Sequence, residues 1–262
     1  MVYGILVLID ALGTQENDQK KLKEVVSNFD LVDERIKNNI SILGQKLENA
    51  GYKSMISSGF IYDNFQIFLP TDINIPKYVD MTGKNDWYWN LIFIGNLLID
   101  IFRYALSLNV PLRGCITSGH GEKTKTNRVL GPIANEASKY YEVTNWIGVI
   151  VTNHPAIVLN NKAEINPNPE LFEQYIKYKV PVKKPYGYEE YWSLRWPIHQ
   201  GFERREMDRC FSAVPSNKTE YGNMIPDEVI IQVINNGMNH KDANVAEKWK
   251  NTWTFYKSMG VA

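Results

Sequence analysis

Several features are scarce in this chain, and each scarcity excludes something. Two cysteines occur in 262 residues, Cys115 and Cys210. Far apart and outside any metal-ligand spacing, they exclude a disulfide framework and read as buried thiols in a reducing compartment. Neither sign of charge prevails, since lysine plus arginine and aspartate plus glutamate each number 29. No global field therefore favours nucleic acid, a membrane or acidic substrates, and charge-based function has to be local. The longest apolar run, LIFIGNLLIDIF at 91–102, is too short for a bilayer span and contains Asn96 and Asp100. The apolar N-terminus lacks a basic segment and is interrupted by Asp10, so it does not read as a signal peptide. Internal repeats and low-complexity tracts are absent. The four histidines, His120, His154, His199 and His240, form no ligand pattern and read as structural. The expectation is a cytoplasmic protein with no membrane span, long enough for one large domain or a domain with an extension.

Hydrophobic patterning predicts the elements. VYGILVLID, at 2–10, is branched, apolar and ends at a turn signal, as a buried strand does. Ile36, Ile40, Leu43 and Leu47 form a helical stripe that ends near Gly51. SMISSGFI and NFQIFLP read as a hairpin with Tyr62 and Asp63 at its turn. Leu91, Ile94, Leu98, Ile101 and Ala105 mark a second helix, and LRGCITSG an inner strand. TKTNRVL reads as a connection or edge strand, PIANEASKYYE as a helix with Pro132 in its first turn, and WIGVIVT as a strand. NNKAEINPNPE, at 160–170, reads as the clearest loop. YIKYKVPVK and EYWSLRW are strand candidates, and 225–258 is partly helical. The aromatic-rich WYW at 87–89 and YEEYWSLRW at 188–196 read as core or subunit-contact surface before base-stacking platforms. This order predicts an α+β sandwich with helices on one face of a largely antiparallel sheet. Residues 1–153 form its core, and 154–262 are a C-terminal extension of the same domain.

The chemistry-bearing pattern begins in VLIDALGT, where a hydrophobic ramp ends on Asp10. With the first strand beside the hairpin, Asp10 and Asp63 would lie at adjacent strand ends. Two such carboxylates repel unless a proton or cation sits between them, and hard oxygen ligands suit magnesium or manganese. Spacing alone leaves a second reading open, in which the two are separate turn residues.

VLIDALGT, FIYDNFQIF, LRGCITSG and LGPIANEASKYYE follow the order of motifs in class III nucleotidyl cyclases, and the resemblance covers about residues 3–152. The sequence is most similar to the pyrimidine cyclases of bacterial anti-phage Pycsar systems, which make cyclic UMP or cyclic CMP. The resemblance implies a ferredoxin-like sandwich whose mostly antiparallel central sheet is flanked by helices. It further implies two Mg2+ or Mn2+ ions per site, held by Asp10 and Asp63 with the Ala11 carbonyl as an extra ligand. Leu12, Gly13 and Thr14 would turn backbone N–H groups to the triphosphate. Arg113 corresponds to a phosphate-binding arginine. Asn135 corresponds to a ribose-orienting asparagine, and Lys139 stands where the family has a transition-state arginine. Lysine keeps that charge but loses the planar fork. Metal ligands and transition-state residues come from opposite chains in the family, which implies a homodimer with composite sites.

The adenine-reading lysine and aspartate of adenylate cyclases are replaced by Ser57 and Arg128. Arginine only donates, so at the base it favours a carbonyl such as uracil O4 over an exocyclic amine. UTP then leads and CTP follows, with Tyr62 shaping the pocket; Arg128 bound to phosphate or solvent is the alternative. The product would be a messenger read by a separate cyclic-nucleotide-sensing effector protein. Guanylate cyclase activity and a non-catalytic nucleotide-binding regulatory module are the competing readings. The bland reading of Arg113 is a surface ion-pair residue, of Asn135 a turn cap near Pro132, and of Lys139 a solvated helix residue.

Overall fold

The computed structural model describes residues 1–12, 19–49, 57–61, 64–70, 87–165, 174–183, 187–197 and 225–260. Strand β1 (Val2–Ala11) is central and fully buried from Gly4 to Ala11. It pairs antiparallel with β3 (Asn64–Pro70) on one side and β4 (Leu112–Lys123) on the other. β2 (Ser57–Ile61) pairs antiparallel with β3 as the expected hairpin. The sheet continues through β6 (Val149–Val151), parallel to β4, to β8 (Tyr188–Leu194) and β7 (Tyr175–Pro181). Its order is β2-β3-β1-β4-β6-β8-β7, with the short β5 (Val129–Leu130) paired to β4. The architecture is α+β, with a mostly antiparallel central sheet flanked by helices.

Strand alternation divides β1 between two cores. Ile5, Val7 and Ile9 join the main core with Val32 and Ile36 of α1 (Gln19–Asn49) and Leu98 and Phe102 of α2 (Trp87–Ser107). Leu6 and Leu8 join a smaller core with Phe68, Val129, and Ile133 and Ala137 of α3 (Pro132–Tyr141). Helices therefore occupy both faces of the sheet, not the single face expected from element order. α3, expected as a helix, packs Ile133 and Ala137 against Leu6 and Leu8 on the second face.

Three boundaries also differ. α1 starts at Gln19, well before its apolar stripe; Val26 and Leu31 are exposed in this first half, while Phe29 stacks on Phe65 against the main core. β4 runs on to Lys123, and TKTNRVL contributes a two-residue strand. The expected loop at 160–170 is helical up to residue 165: α4 (Asn153–Ile165) carries Ala156, Leu159 and Ala163 at helical spacing against the main core. Residues 166–170 lie outside the described residues.

The C-terminal helices α5 (Asp227–Met238) and α6 (Ala243–Ser258) pack on this body. Arg103 of α2 is 1% exposed and donates to Pro197 O (2.9 Å), Ile225 O (2.7 Å) and Asp227 Oδ1 (2.6 Å). Phe255 of α6 sits edge-on against Trp146 (4.5 Å) and Tyr178 (4.7 Å). Asn251 Nδ2 donates to Asn145 O at 2.8 Å, and Thr252 Oγ1 accepts from Ile147 N at 2.9 Å. The segment between α3 and β6 is thus bolted to the last helix. Cys115 is a buried thiol on β4, pushed up to about 12 chiefly by burial, while Cys210 lies outside the described residues. Trp192 and Trp196, from the aromatic-rich stretch, are buried in the core. Among the described residues, no helix is long and apolar enough to cross a membrane.

Candidate functional site

The β1–β4 register places Asp10 directly opposite Arg113, and the β1–β3 register places it opposite Asn64. Cross-strand partners face the same side, so Asp10 and Arg113 meet on the α3 face at the end of the sheet. Arg113 Nη2 and Nε donate to Asp10 Oδ2 at 2.7 and 3.2 Å, and the side chains are 9% and 11% exposed. Arg113 Nη1 reaches Thr144 O at 3.4 Å, and the guanidinium lies 5.6 Å from the Tyr141 ring centroid. The carboxylate that ends the hydrophobic ramp is therefore balanced by an arginine held across the strand pair. Sequence reading assigned Asp10 to a cation and Arg113 to a phosphate; the structure binds each to the other.

The charge of this pair bears on two further cations, Lys183 and Lys248, neither of which was singled out by sequence. Lys183 follows β7 and is fixed by its backbone N–H to Val143 O at 2.9 Å, beside a bridge between Thr144 and Val182. Lys248 is on α6, one turn before Asn251 and Thr252. Both ammonium groups are held below the usual lysine range, first by burial and next by the charge of Arg113. Asp10 opposes that shift in each, as do Glu142 at Lys183 and Asp242 at Lys248. The Tyr141 phenol is pushed up to about 12 by burial, its bond to Glu142 and the charges of Glu142 and Asp10.

The other expected site residues are dispersed. Ala11 is buried at the end of β1, and Leu12 N donates to Pro111 O at 2.8 Å. Gly13, Thr14, Tyr62 and Asp63 lie outside the described residues; Asn64, which follows Asp63 in the chain, is the strand partner of Asp10. Ser57 pairs with Phe68, which pairs with Leu6, four residues from Asp10 and about 13 Å along the strand. Its Oγ is buried and has no hydrogen-bond partner among the described residues. Arg128 is exposed, with its N–H on Thr124 Oγ1 at 3.1 Å. The 127–128 backbone packs so closely on β2 that a Cβ at Gly59 would lie 2.6 Å from Asn127 O. Ser57 and Arg128 consequently share one end of the α3 face, away from Asp10.

Asn135 and Lys139 are one turn apart on the exposed side of α3, opposite buried Ile133 and Ala137. Lys139 Nζ engages Glu136 at 3.3 Å and is 71% exposed. The Asn135 side chain does not cap α3, whose N-cap is Gly131 with a positive φ of 106°. Neither residue contacts the Asp10–Arg113 pair. Among the described residues, no three of the His, Cys, Asp and Glu side chains group as a metal site. His120 stacks edge-on with Tyr3, and His240 Nδ1 accepts from Asp242 N. His199 lies outside the described residues.

No protein-family model matches the chain, and no curated protein matches it in sequence. Among solved structures it is similar to the catalytic core of a rhodopsin-guanylyl cyclase with converted specificity in complex with ATPalphaS. The identity is 12% and the TM-score 0.40, over 73% of this chain and 95% of that one. It is also similar to a bacterial light-regulated adenylyl cyclase, at 12% identity and TM-score 0.39 over 80% and 98% of the two chains. A second structure so described gives 13% identity and TM-score 0.41 over 74% and 52%. At overlaps of this extent, the chemistry has to be read from this chain's own residues.

Proposed function

We propose that the chain is a metal-dependent nucleotidyl cyclase of the class III type. It would convert a pyrimidine nucleoside triphosphate, UTP before CTP, to the 3′,5′-cyclic monophosphate and pyrophosphate. The observation that carries this reading is the buried Asp10–Arg113 pair at the end of β1, set against the residue that follows Asp63. An anionic oxygen ligand and a planar phosphate-binding cation are thereby held on one rigid sheet.

The donor chemistry fits a hard divalent cation, with Asp10, Asp63 and the Ala11 carbonyl as its ligands by resemblance. Bound Mg2+ or Mn2+ would supply neutralisation of the triphosphate and activation of the ribose 3′-hydroxyl. Arg113 balances Asp10 and presents a donor fork matched to phosphate oxygens. Positioned charge is then the main catalytic device, since in-line phosphoryl transfer asks for no covalent step from the protein. Asn135 and Lys139 point away from their own Asp10 and would serve the site of a second copy in a head-to-tail homodimer. The buried Ser57 Oγ, without a hydrogen-bond partner among the described residues, and the donor-only Arg128 side chain would face the base, matching a carbonyl such as uracil O4. The cyclic nucleotide would be read by a separate effector protein in an anti-phage response within the cytoplasm.

A second reading is a non-catalytic nucleotide-binding module. It is favoured by the Asp10–Arg113 pairing, which balances the carboxylate within the chain, and by lysine at position 139. Purified protein should be incubated with Mn2+ or Mg2+ and each of ATP, GTP, CTP and UTP, and the products identified by mass. Cyclic UMP, lost in Asp63→Asn and in Lys139→Ala but regained on mixing the two variants, supports the cyclase and its composite sites. A folded protein that binds nucleotide and forms no cyclic product refutes it in favour of the module.

A further inference from the structure

We propose that Asn251 and Thr252 of the last helix are positioning residues for Arg113: acting through the connector 144–148, they set where the guanidinium stands against Asp10. The proposal rests on the cyclase reading of the Asp10–Arg113 site and gives the C-terminal extension a part in its geometry, with neither residue in contact with substrate.

The first support is the way the connector is held. Residues 144–148 join α3 to β6 without a helix or strand of their own, so their backbone groups need partners from elsewhere. On one side Asn145 N donates to Pro181 O at 2.8 Å, and Thr144 bridges to Val182. α6 meets the three middle residues in turn. Asn251 Nδ2 donates to Asn145 O at 2.8 Å, Phe255 lies edge-on to Trp146 at 4.5 Å, and Thr252 Oγ1 accepts from Ile147 N at 2.9 Å. Thr252 is fully buried, and its hydroxyl proton goes to Lys248 O at 2.7 Å, which leaves an oxygen lone pair aimed at Ile147. The second support is what the two ends of the same connector touch. Thr144 O accepts from Arg113 Nη1 at 3.4 Å, and Gly148 O accepts from Gly114 N at 2.9 Å. β4 has no slack at that point, since a Cβ at Gly114 would lie 2.6 Å from Leu8 O. A displacement of the connector therefore falls on the Thr144–Arg113 bond, the longest of these contacts, and through it on the guanidinium. Thr252→Val keeps the side-chain shape but orphans a buried N–H at Ile147, whereas Thr252→Ser keeps both bonds.

The test compares Thr252→Val, Asn251→Ala and Thr252→Ser with Ile36→Ala, a core control on α1. Two quantities are read on the full chain. One is the NMR resonance of Arg113 Nε–H, which donates to Asp10 Oδ2 at 3.2 Å and is assigned by its loss in Arg113→Lys. The other is KM for the triphosphate that the wild type cyclises. Thr252→Val and Asn251→Ala should shift the resonance and raise KM, Thr252→Val by about tenfold, the scale of one charge-assisted contact. Thr252→Ser should keep both at their wild-type values. Ile36→Ala, with a lower Tm through its cavity, should leave both in place. A purely structural role for α6 predicts instead that every destabilised variant loses Tm and active fraction at constant KM. KM unchanged in Thr252→Val and Asn251→Ala, or raised as much in Ile36→Ala, overturns the positioning; Asn251→Ala decides alone if Thr252→Val does not fold. Failure of the cyclase reading is distinguishable, because in a chain that forms no cyclic product the resonance decides. Its shift in Asn251→Ala but not in Ile36→Ala then upholds the positioning alone, and its constancy in both overturns it.

Discussion

Breaking the Asp10–Arg113 pair from either side should be costly, and the two sides should not cost the same. Both side chains are about nine-tenths buried, and two N–H groups fall on one carboxylate oxygen. Removing one partner of such a pair leaves a buried charge and costs about 3–5 kcal/mol, whereas replacing both with neutral groups is often near neutral. Asp10→Asn leaves the Arg113 charge without its carboxylate and still opposed by the charges of Lys183 and Lys248. Arg113→Met leaves the Asp10 charge, which the same two ammonium groups favour and partly balance. Asp10→Asn should therefore fall near 5 kcal/mol and Arg113→Met near 3 kcal/mol, both on the order of the range for broken buried pairs. In a domain of this size that is roughly 6–20 °C in Tm. Urea unfolding at neutral pH, read as a shift of midpoint at constant slope, measures both, and the double variant closes the cycle. The double variant should recover most of the loss. Arg113→Met costing as much as Asp10→Asn, or single losses below about 1 kcal/mol that simply add, would sink the charge-balance reasoning.

Stability should decline above pH 9 through groups whose folded pKa is raised: Cys115 from 9.0 to about 12 and Tyr256 from 10.0 to about 12, with Tyr191 raised further, each first by burial. The folded state holds these protons while the unfolded chain releases them. Their contribution is complete below pH 9 and is lost as pH rises toward 12; a urea midpoint unchanged from pH 8 to 10.5 refutes this. Arg103→Met removes three donated bonds that tie α2 to the entry of α5. It should speed amide exchange across 227–258 more than in β1, and uniform protection in both regions would count against the clamp. Gly237→Ala should destabilise by about 1–3 kcal/mol through overpacking, because its Cβ would lie 2.2 Å from the buried Trp249 indole. Helix propensity alone predicts the opposite sign in a thermal melt.

Much of the fold is legible in local pattern. β1, the hairpin, α2 and α3 announce themselves by alternation, turn residues and helical stripes, and the order of motifs singles out Asp10 and Arg113. What local pattern does not carry is register. Asp10 and Arg113 are more than a hundred residues apart, and only the pairing of two strands end to end makes them partners. The same limit hides Lys183 and Lys248, which feel the charge of Arg113 from far along the sequence. α4 was obscured by composition: its Asn-rich sequence reads as loop until Ala156, Leu159 and Ala163 are aligned at the helical period.

The burial of Asp10 has consequences for the elements packed around it. A carboxylate on a buried strand requires a cation, and Arg113 provides it from the adjacent strand. Bringing that guanidinium in creates a positive site, which the Thr144 carbonyl and Tyr141 face cover on one side. A fold concerned with stability alone would cover the remaining side with apolar or acidic groups. The charge of Arg113 instead bears on Lys183 after β7 and Lys248 of α6, both held below the usual lysine range first by burial and next by that charge.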